Sequence, residues 1–379
     1  MTEVLGRKRA DDGDATAERD EATGHLGAYR ARDGSPGATV RVDMNRPHAG
    51  LVVGKRGYGK SYTLGVLAEE LARTGGVAPV VADPMGVFGS LADLGEGDVS
   101  IVTRPRVSAD ALAPRAWCDL LGLAPDSAAG TLVWRAAAER DSLAGMTEYV
   151  ADAEAVRPAR RAASNHLALA ASWGVFDAGG LAAGDLLDSA ATVLDLSALP
   201  SEAANAVVRA VASGLYDRCA GRGSRSERED LDRLPWLLVD EAHAFFDGVA
   251  GPALRTLLTR GRQPGASFVA ATQRPGALPP VAVSQADLLV AHRLTSRADL
   301  DALAAARPTY VSSPLAERLP ERPGDAVVVD DATESVHAVR IRERETPHGG
   351  ESPRASRVAR DAGGARGARD PRGAECEPE

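Results

Sequence analysis

The stretch Gly54-Lys55-Arg56-Gly57-Tyr58-Gly59-Lys60-Ser61 constrains this chain more than any other. It fits the pattern G-x-x-x-x-G-K-[ST] and has the right neighbours on both sides. Before it, the apolar run from His48 to Val53 reads as a buried strand; after it, residues from Tyr62 to Arg73 read as a helix. A glycine-bearing turn between strand and helix lets backbone N–H groups approach phosphate oxygens, and the helix N-terminus adds partial positive charge there. Gly54, Lys55, Arg56, Gly57, Tyr58, Gly59, Lys60, Ser61 and Tyr62 are therefore candidates for binding ATP. In such a loop Lys60 reaches the β- and γ-phosphates, and the Ser61 hydroxyl is a ligand for Mg²⁺.

The remaining pattern suits a sheet that could carry such a loop. Short runs rich in Val, Leu and Ala alternate with helical stretches, as in a parallel sheet covered on both faces. Further strands are expected from Val77 to Ala82, Thr192 to Leu196, Leu234 to Val239, Ser267 to Thr272 and Asp287 to His292. Gly324 to Val329 and Val336 to Ile341 should pair as a hairpin around Asp330-Asp331. The Ala-rich region 105–190 has a helical period and no strand signal, and reads as a helical insertion. The fold class is thus α/β, with a mostly parallel sheet in an ATPase domain over 39–342. Residues 1–38 and 343–379 are charged and Gly-bearing with little apolar period, and are expected to be disordered tails.

A formal net charge of −9 argues against a broad basic face that coats nucleic acid, although it leaves room for a narrow basic pore. Lysine occurs only at positions 8, 55 and 60, so two of the three fall inside the glycine-bearing turn. No apolar run reaches 18 residues and the charged N-terminus has no apolar core, so neither a membrane span nor a signal peptide is expected, and the location reads as cytoplasmic. Cys118, Cys219 and Cys376 lack the paired spacing of a zinc site or a disulfide framework.

The second chemical signal is Leu237-Leu238-Val239-Asp240-Glu241, a buried strand ending in two carboxylates. Beside a phosphate loop, Asp240 would hold Mg²⁺ and Glu241 would orient and deprotonate the attacking water. Asp240-Glu241-Ala242-His243 also spells the box of a class of RNA and DNA helicases. Those enzymes carry two core domains and place the box nearer the phosphate loop, whereas this chain has room for one core.

The third signal is Arg260-Gly261-Arg262-Gln263-Pro264-Gly265, leading through a strand into Thr272-Gln273-Arg274-Pro275. Following an Asp-Glu-Ala-His strand, this order resembles the HerA branch of the HerA/FtsK ATPases. Asp83-Pro84-Met85-Gly86 is similar to that family's Asp-Pro-His-Gly turn, with Met85 where His is usual, and Leu194-Asp195-Leu196-Ser197 resembles another family strand. The resemblance spans roughly residues 40–342 and is strongest at these blocks. It implies a RecA-like P-loop NTPase core in which Gln273 is the polar sensor and Arg262 the arginine finger, with Arg260 as the alternative finger. A finger serves the neighbouring subunit's site, so the resemblance further implies a homo-oligomeric ring, typically a hexamer, acting on double-stranded DNA.

Only 53 residues precede the phosphate loop, where typical HerA helicases carry a small β-barrel, and this departure puts their end-resection role and nuclease partnership in doubt. The expected function is an ATP-driven DNA translocase. Within that class the tasks are chromosome processing with a nuclease, plasmid transfer with another mobile-element protein, or viral genome packaging. The alternative is an ATP-dependent switch or assembly module that binds a protein and pumps no DNA. A kinase reading is disfavoured by the strand-end Asp-Glu pair together with Gln273.

Overall fold

In the computed structural model of the chain, residues 2–7, 22–31, 35–95, 97–222, 231–305 and 315–349 are described. They form twelve strands in one sheet. The first six are β1 (Thr2–Leu5), β2 (Thr23–Arg30), β3 (Pro36–Asp43), β4 (Ala49–Val53), β5 (Val77–Asp83) and β6 (Val99–Val102). The others are β7 (Ala191–Asp195), β8 (Leu234–Val239), β9 (Ser267–Thr272), β10 (Leu288–Ala291), β11 (Asp325–Asp330) and β12 (Ser335–Ile341). The strand order is β1-β3-β2-β12-β11-β10-β4-β9-β8-β5-β7-β6.

From β10 across to β6 every neighbouring pair is parallel. These strands alternate their side chains between two buried layers. Leu51 and Val53 of β4 join Leu237 and Val239 of β8 in one layer, while Val52 and Leu238 point into the other. That double burial is why the strands read as continuous apolar runs. The parallel register pairs Val53 with Thr272 and Val239 with Ala270. It therefore sets Gly54, Asp240 and Gln273 at one edge of the sheet, beyond the carboxyl ends of the strands, where open α/β sheets bind their ligands.

One layer is covered by helix α1 (Lys60–Arg73), whose Leu64, Leu67 and Leu71 are buried with the strands β1 to β3. The opposite layer takes the helices between β6 and β7, namely α2 (Pro114–Leu120), α3 (Ala128–Glu139), α4 (Leu143–Asp152), α5 (Arg157–Ser172) and the short α6 (Asp185–Asp188). Trp117 of α2 is fully buried there, its indole N–H donating to Ala109 O at 2.9 Å. The long α7 (Ser201–Ala220) completes that face. Among the described residues no helix is long and apolar enough to cross a membrane.

Three findings correct the sequence-based expectations. First, the N-terminal stretch is not all tail: β1, β2 and β3 extend the sheet, β2 pairing antiparallel with β12. Gly24, Gly27 and Ala28 give β2 little side chain from which to read a period of two. Gly27 is there because the strand packs so close to β12 that a side chain would overlap the Arg340 carbonyl. Residues 8–21 lie outside the described residues. Second, β6 was not anticipated; at four half-buried residues on the sheet edge its apolar signal is weak.

Third, the C-terminal tail does not begin at 343. Residues 342–349 form a strap across α1, held by polar contacts that hydrophobic periodicity cannot report. Glu69 of α1 is fully buried and accepts from the Thr346 backbone N–H and hydroxyl at 2.9 and 2.7 Å. Arg342 lies 2.8 Å from Glu69 and also 2.8 Å from Glu70, and Arg344 lies 3.5 Å from Glu69. These contacts hold the Glu69 carboxyl below the usual carboxylate range despite its burial. Residues 350–379 lie outside the described residues.

Candidate nucleotide site

The turn between β4 and α1 has the backbone its glycines permit. Gly57 and Gly59 adopt φ of 79° and 114°, in the left-handed region, and Gly59 N-caps α1. The turn is anchored on both flanks: the Lys55 N–H donates to Arg293 O at 2.7 Å, and the Gly324 N–H donates to Tyr58 O at 3.3 Å. The fully buried His292, at the end of β10, packs behind it. Its Cβ would lie 2.6 Å from a Cβ at Gly54, and its ring 3.2 Å from one at Gly59. Nδ1 faces the Asp325 carbonyl at 2.8 Å, which can only accept, so Nδ1 carries the proton. Nε2 then accepts from the Thr63 hydroxyl at 2.9 Å. Burial pushes the His292 pKa down to about 4, which keeps the ring neutral.

Lys60 is buried, and the desolvation lowers its pKa while the nearby Glu241 and Asp240 carboxylates oppose that shift. Ser61 Oγ donates to Asp240 Oδ2 at 2.6 Å. Asp240 has no exposed surface; burial raises its pKa, and the Ser61 hydrogen bond works against that rise.

Glu241 follows with φ of 45°, one of two non-glycine residues in the left-handed region among those described. Such a conformation costs on the order of 1–3 kcal/mol and is retained where the surroundings fix it. Here its own N–H donates to Asp240 Oδ1 at 2.9 Å, while the neighbouring Gln273 backbone helps hold the carboxyl pKa down. Burial raises the Glu241 pKa, with Lys60 pulling it down. Glu241 Oε2 is shielded from solvent and accepts no hydrogen bond among the described residues. It lies 3.3 Å from His243 Nδ1, but burial and the nearby Arg274 lower the His243 pKa, so the contact is not an ion pair. His243 Nδ1 is also 3.1 Å from Thr272 Oγ1, and the Arg274 N–H donates to the same hydroxyl at 3.0 Å. The ends of β8 and β9 are thereby cross-linked around the carboxylate pair.

These groups open into a cleft of 940 Å³ lined by Gly57, Gly59, Lys60, Ser61, Tyr62 and Glu241 on one side. The rest of the lining comes from β2, the end of β12 and the strap, with His25, Arg340 and His348.

Residues 25–176 match the family model described as the central domain of the helicase HerA. The fold is similar to VirB4 of Thermoanaerobacter pseudethanolicus, with a TM-score of 0.64 and 16% identity over 86% of this chain and 98% of that one. It is also similar to the bacterial conjugative coupling protein TrwBdeltaN70, at a TM-score of 0.53 and 15% identity over 90% of this chain and 98% of that one. The chain has the RecA-like P-loop ATPase fold that these proteins share. No curated protein matches it.

The two remaining sequence candidates stand apart from the cleft. Arg260 ends the helix Gly251–Arg260 with its side chain exposed. Arg262 lies 3.3 Å from Asp287 Oδ2, and Asp287 Oδ1 accepts from the Ala49 N–H at 3.0 Å. Both arginines thus sit by the start of β4, whereas the phosphate loop leaves its end. Five strand residues separate the two edges by about 16 Å.

The turn at Asp83-Pro84-Met85-Gly86 borders the cleft. Buried Asp83 fixes it by accepting from the N–H groups of Met85 at 3.2 Å and Phe88 at 2.8 Å. Met85, in the place of the usual His, is 59% exposed and can offer the cleft only a soft apolar surface. Sequence reading missed His292, Thr63 and the strap. His292 had a signal, a histidine ending a strand that is otherwise wholly apolar; the strap, read as tail, had none.

Proposed function

We propose that this chain is a Mg²⁺-dependent ATPase that acts as a homo-oligomeric ring and moves double-stranded DNA. The observation that carries the hydrolytic part is the 2.6 Å bond from Ser61 to Asp240, with the Glu241 carboxylate next to it in the same cleft. A hydroxyl and a carboxylate are hard oxygen donors, and two of them suit Mg²⁺, which keeps several waters and phosphate oxygens. When bound, that ion would neutralise charge on the β- and γ-phosphates.

The protein's own groups do the rest. Backbone N–H groups from Gly57 to Ser61 cradle the phosphates, and Lys60 reaches toward the γ-phosphate. Glu241, whose side chain lines the cleft, takes the proton of the attacking water. Gln273 is the sensor: its backbone lies beside the Glu241 carboxylate, so a side-chain contact to the γ-phosphate would be relayed to the base. Arg262 is the finger, with Arg260 the alternative. Neither can reach the phosphate loop of its own subunit from the opposite edge of the sheet, so a finger at either position requires a neighbouring subunit.

Translocation is supported by the match of residues 25–176 to the HerA central domain and by the likeness to a conjugative coupling protein. The test is the ATPase rate with and without double-stranded DNA across salt concentrations, together with assembly size by light scattering. A ring whose hydrolysis rises with DNA supports the motor. A monomer indifferent to DNA refutes it and favours the switch or assembly ATPase.

A further inference from the structure

The two ends of the cleft differ in chemistry. Lys60, Ser61 and Glu241 mark the γ-phosphate end. A nucleotide held there runs its α-phosphate and sugar past Ser61, along the first turn of α1, toward Tyr62. At that point two half-buried aromatic rings line the cleft, those of Tyr62 and His348, meeting edge to face with centroids 5.4 Å apart at 73°.

Both rings are held in place. The Tyr62 hydroxyl accepts the Arg344 N–H at 2.6 Å, and Arg344 Nη1 lies 3.3 Å from His348 Nδ1. The strap that delivers His348 is pinned to the buried Glu69 through Thr346. A polar tether of this kind, next to an open cleft, positions a ring without covering it.

We propose that Tyr62 and His348 form the nucleobase subsite of this cleft, taking the planar base of a nucleoside triphosphate against their rings; this rests on the ATP-binding reading above. Stacking of a base on an aromatic side chain depends little on which base it is, and each such contact is worth about ten-fold in affinity. The subsite therefore separates nucleotides from bare polyphosphate more than it separates one base from another.

The experiment is a calorimetric titration of the full chain, with Mg²⁺ present, against ATP and against inorganic tripolyphosphate. Wild type is expected to bind ATP about ten-fold or more tightly than tripolyphosphate. His348→Ala should lose most of that margin while its tripolyphosphate affinity holds, the latter also reporting an intact loop. His348→Phe, which keeps a flat ring, should restore it. The proposal is overturned if His348→Ala leaves ATP affinity unchanged, or weakens both ligands alike. If wild type binds both equally, only the subsite fails; if it binds neither, the ATP-binding reading fails and takes the subsite with it.

Discussion

Ser61 and Asp240 are 179 positions apart in the chain and 2.6 Å apart in the structure, hydroxyl to carboxylate. The bond ties the first turn of α1 to the end of β8 and brings the buried Lys60 beside two acids. Lys60→Ala removes the cation that faces both carboxylates and the phosphates. It should weaken ATP binding about 100-fold, the scale of a lost hydrogen bond to a charged group. Affinity within a few-fold of wild type, measured by calorimetry, would contradict the role given to this loop.

Glu241→Gln keeps the size of the side chain and removes the base. ATP binding should stay within a few-fold, while single-turnover hydrolysis falls by about 10²- to 10⁴-fold. A variant that still turns over at the wild-type rate would move the base elsewhere.

Arg262 uses one of its five donors on Asp287 and leaves its guanidinium partly exposed, so it is oriented but not consumed. Such a half-exposed pair is worth at most about 1 kcal/mol, so Arg262→Ala should fold normally. Its ATP binding should persist and its turnover should drop by about 10³-fold. Mixing it with Glu241→Gln subunits should restore activity, because some interfaces then pair an intact Glu241 with an intact Arg262. No restoration in the mixture counts against a shared site, and an equal loss in Arg260→Ala alone would transfer the role.

His292 gives the fold a pH dependence of known sign. Its folded pKa is depressed to about 4 from the 6.5 of an ordinary imidazole, so the unfolded chain binds the proton first. The stability linked to this residue is complete above 6.5 and is lost as pH falls toward 4, by about 3 kcal/mol in all. His292→Gln can still donate to Asp325 O and accept from Thr63 but cannot titrate there. In urea melts its stability relative to wild type should improve steadily between pH 7 and pH 4. A constant difference over that range would show that the imidazole does not titrate as described.

Glu69→Ala leaves Arg344, whose side chain is 1% exposed, and Arg342 without their buried partner. Removing one member of a buried ion pair costs about 3–5 kcal/mol. The variant should unfold at lower denaturant, and protection of the 342–349 amides in hydrogen exchange should collapse; unchanged protection would mean the strap is held by something else.

Local pattern served the sequence reading well where one physical rule acts at short range. The strand-turn-helix around Gly54 to Ser61 needs only a period, two left-handed glycines and a helix start, and all three are legible in adjacent residues. The strand ending in Asp240-Glu241 was equally plain. The reading failed where residues are held by distant partners. Thr23–Arg30 is a strand because β12 and β3 flank it, and its glycines hide the alternation. The strap is ordered by a buried carboxylate some 270 positions away. His292 was within a predicted strand, but its function as a template for the turn depends on the close approach of Gly54 and Gly59.

By itself the sequence determined the layered α/β core, the phosphate loop and the acidic strand end, because apolar period, glycine conformation and carboxylate placement are local properties. Only the tertiary structure decided that Ser61 meets Asp240, that Gln273 lies beside Glu241, that the arginines lie at the far edge of the sheet, and that the Tyr62 and His348 rings meet in the cleft. These relationships follow from strand order and register, and a chain fixes those only when both faces of its sheet are buried at once.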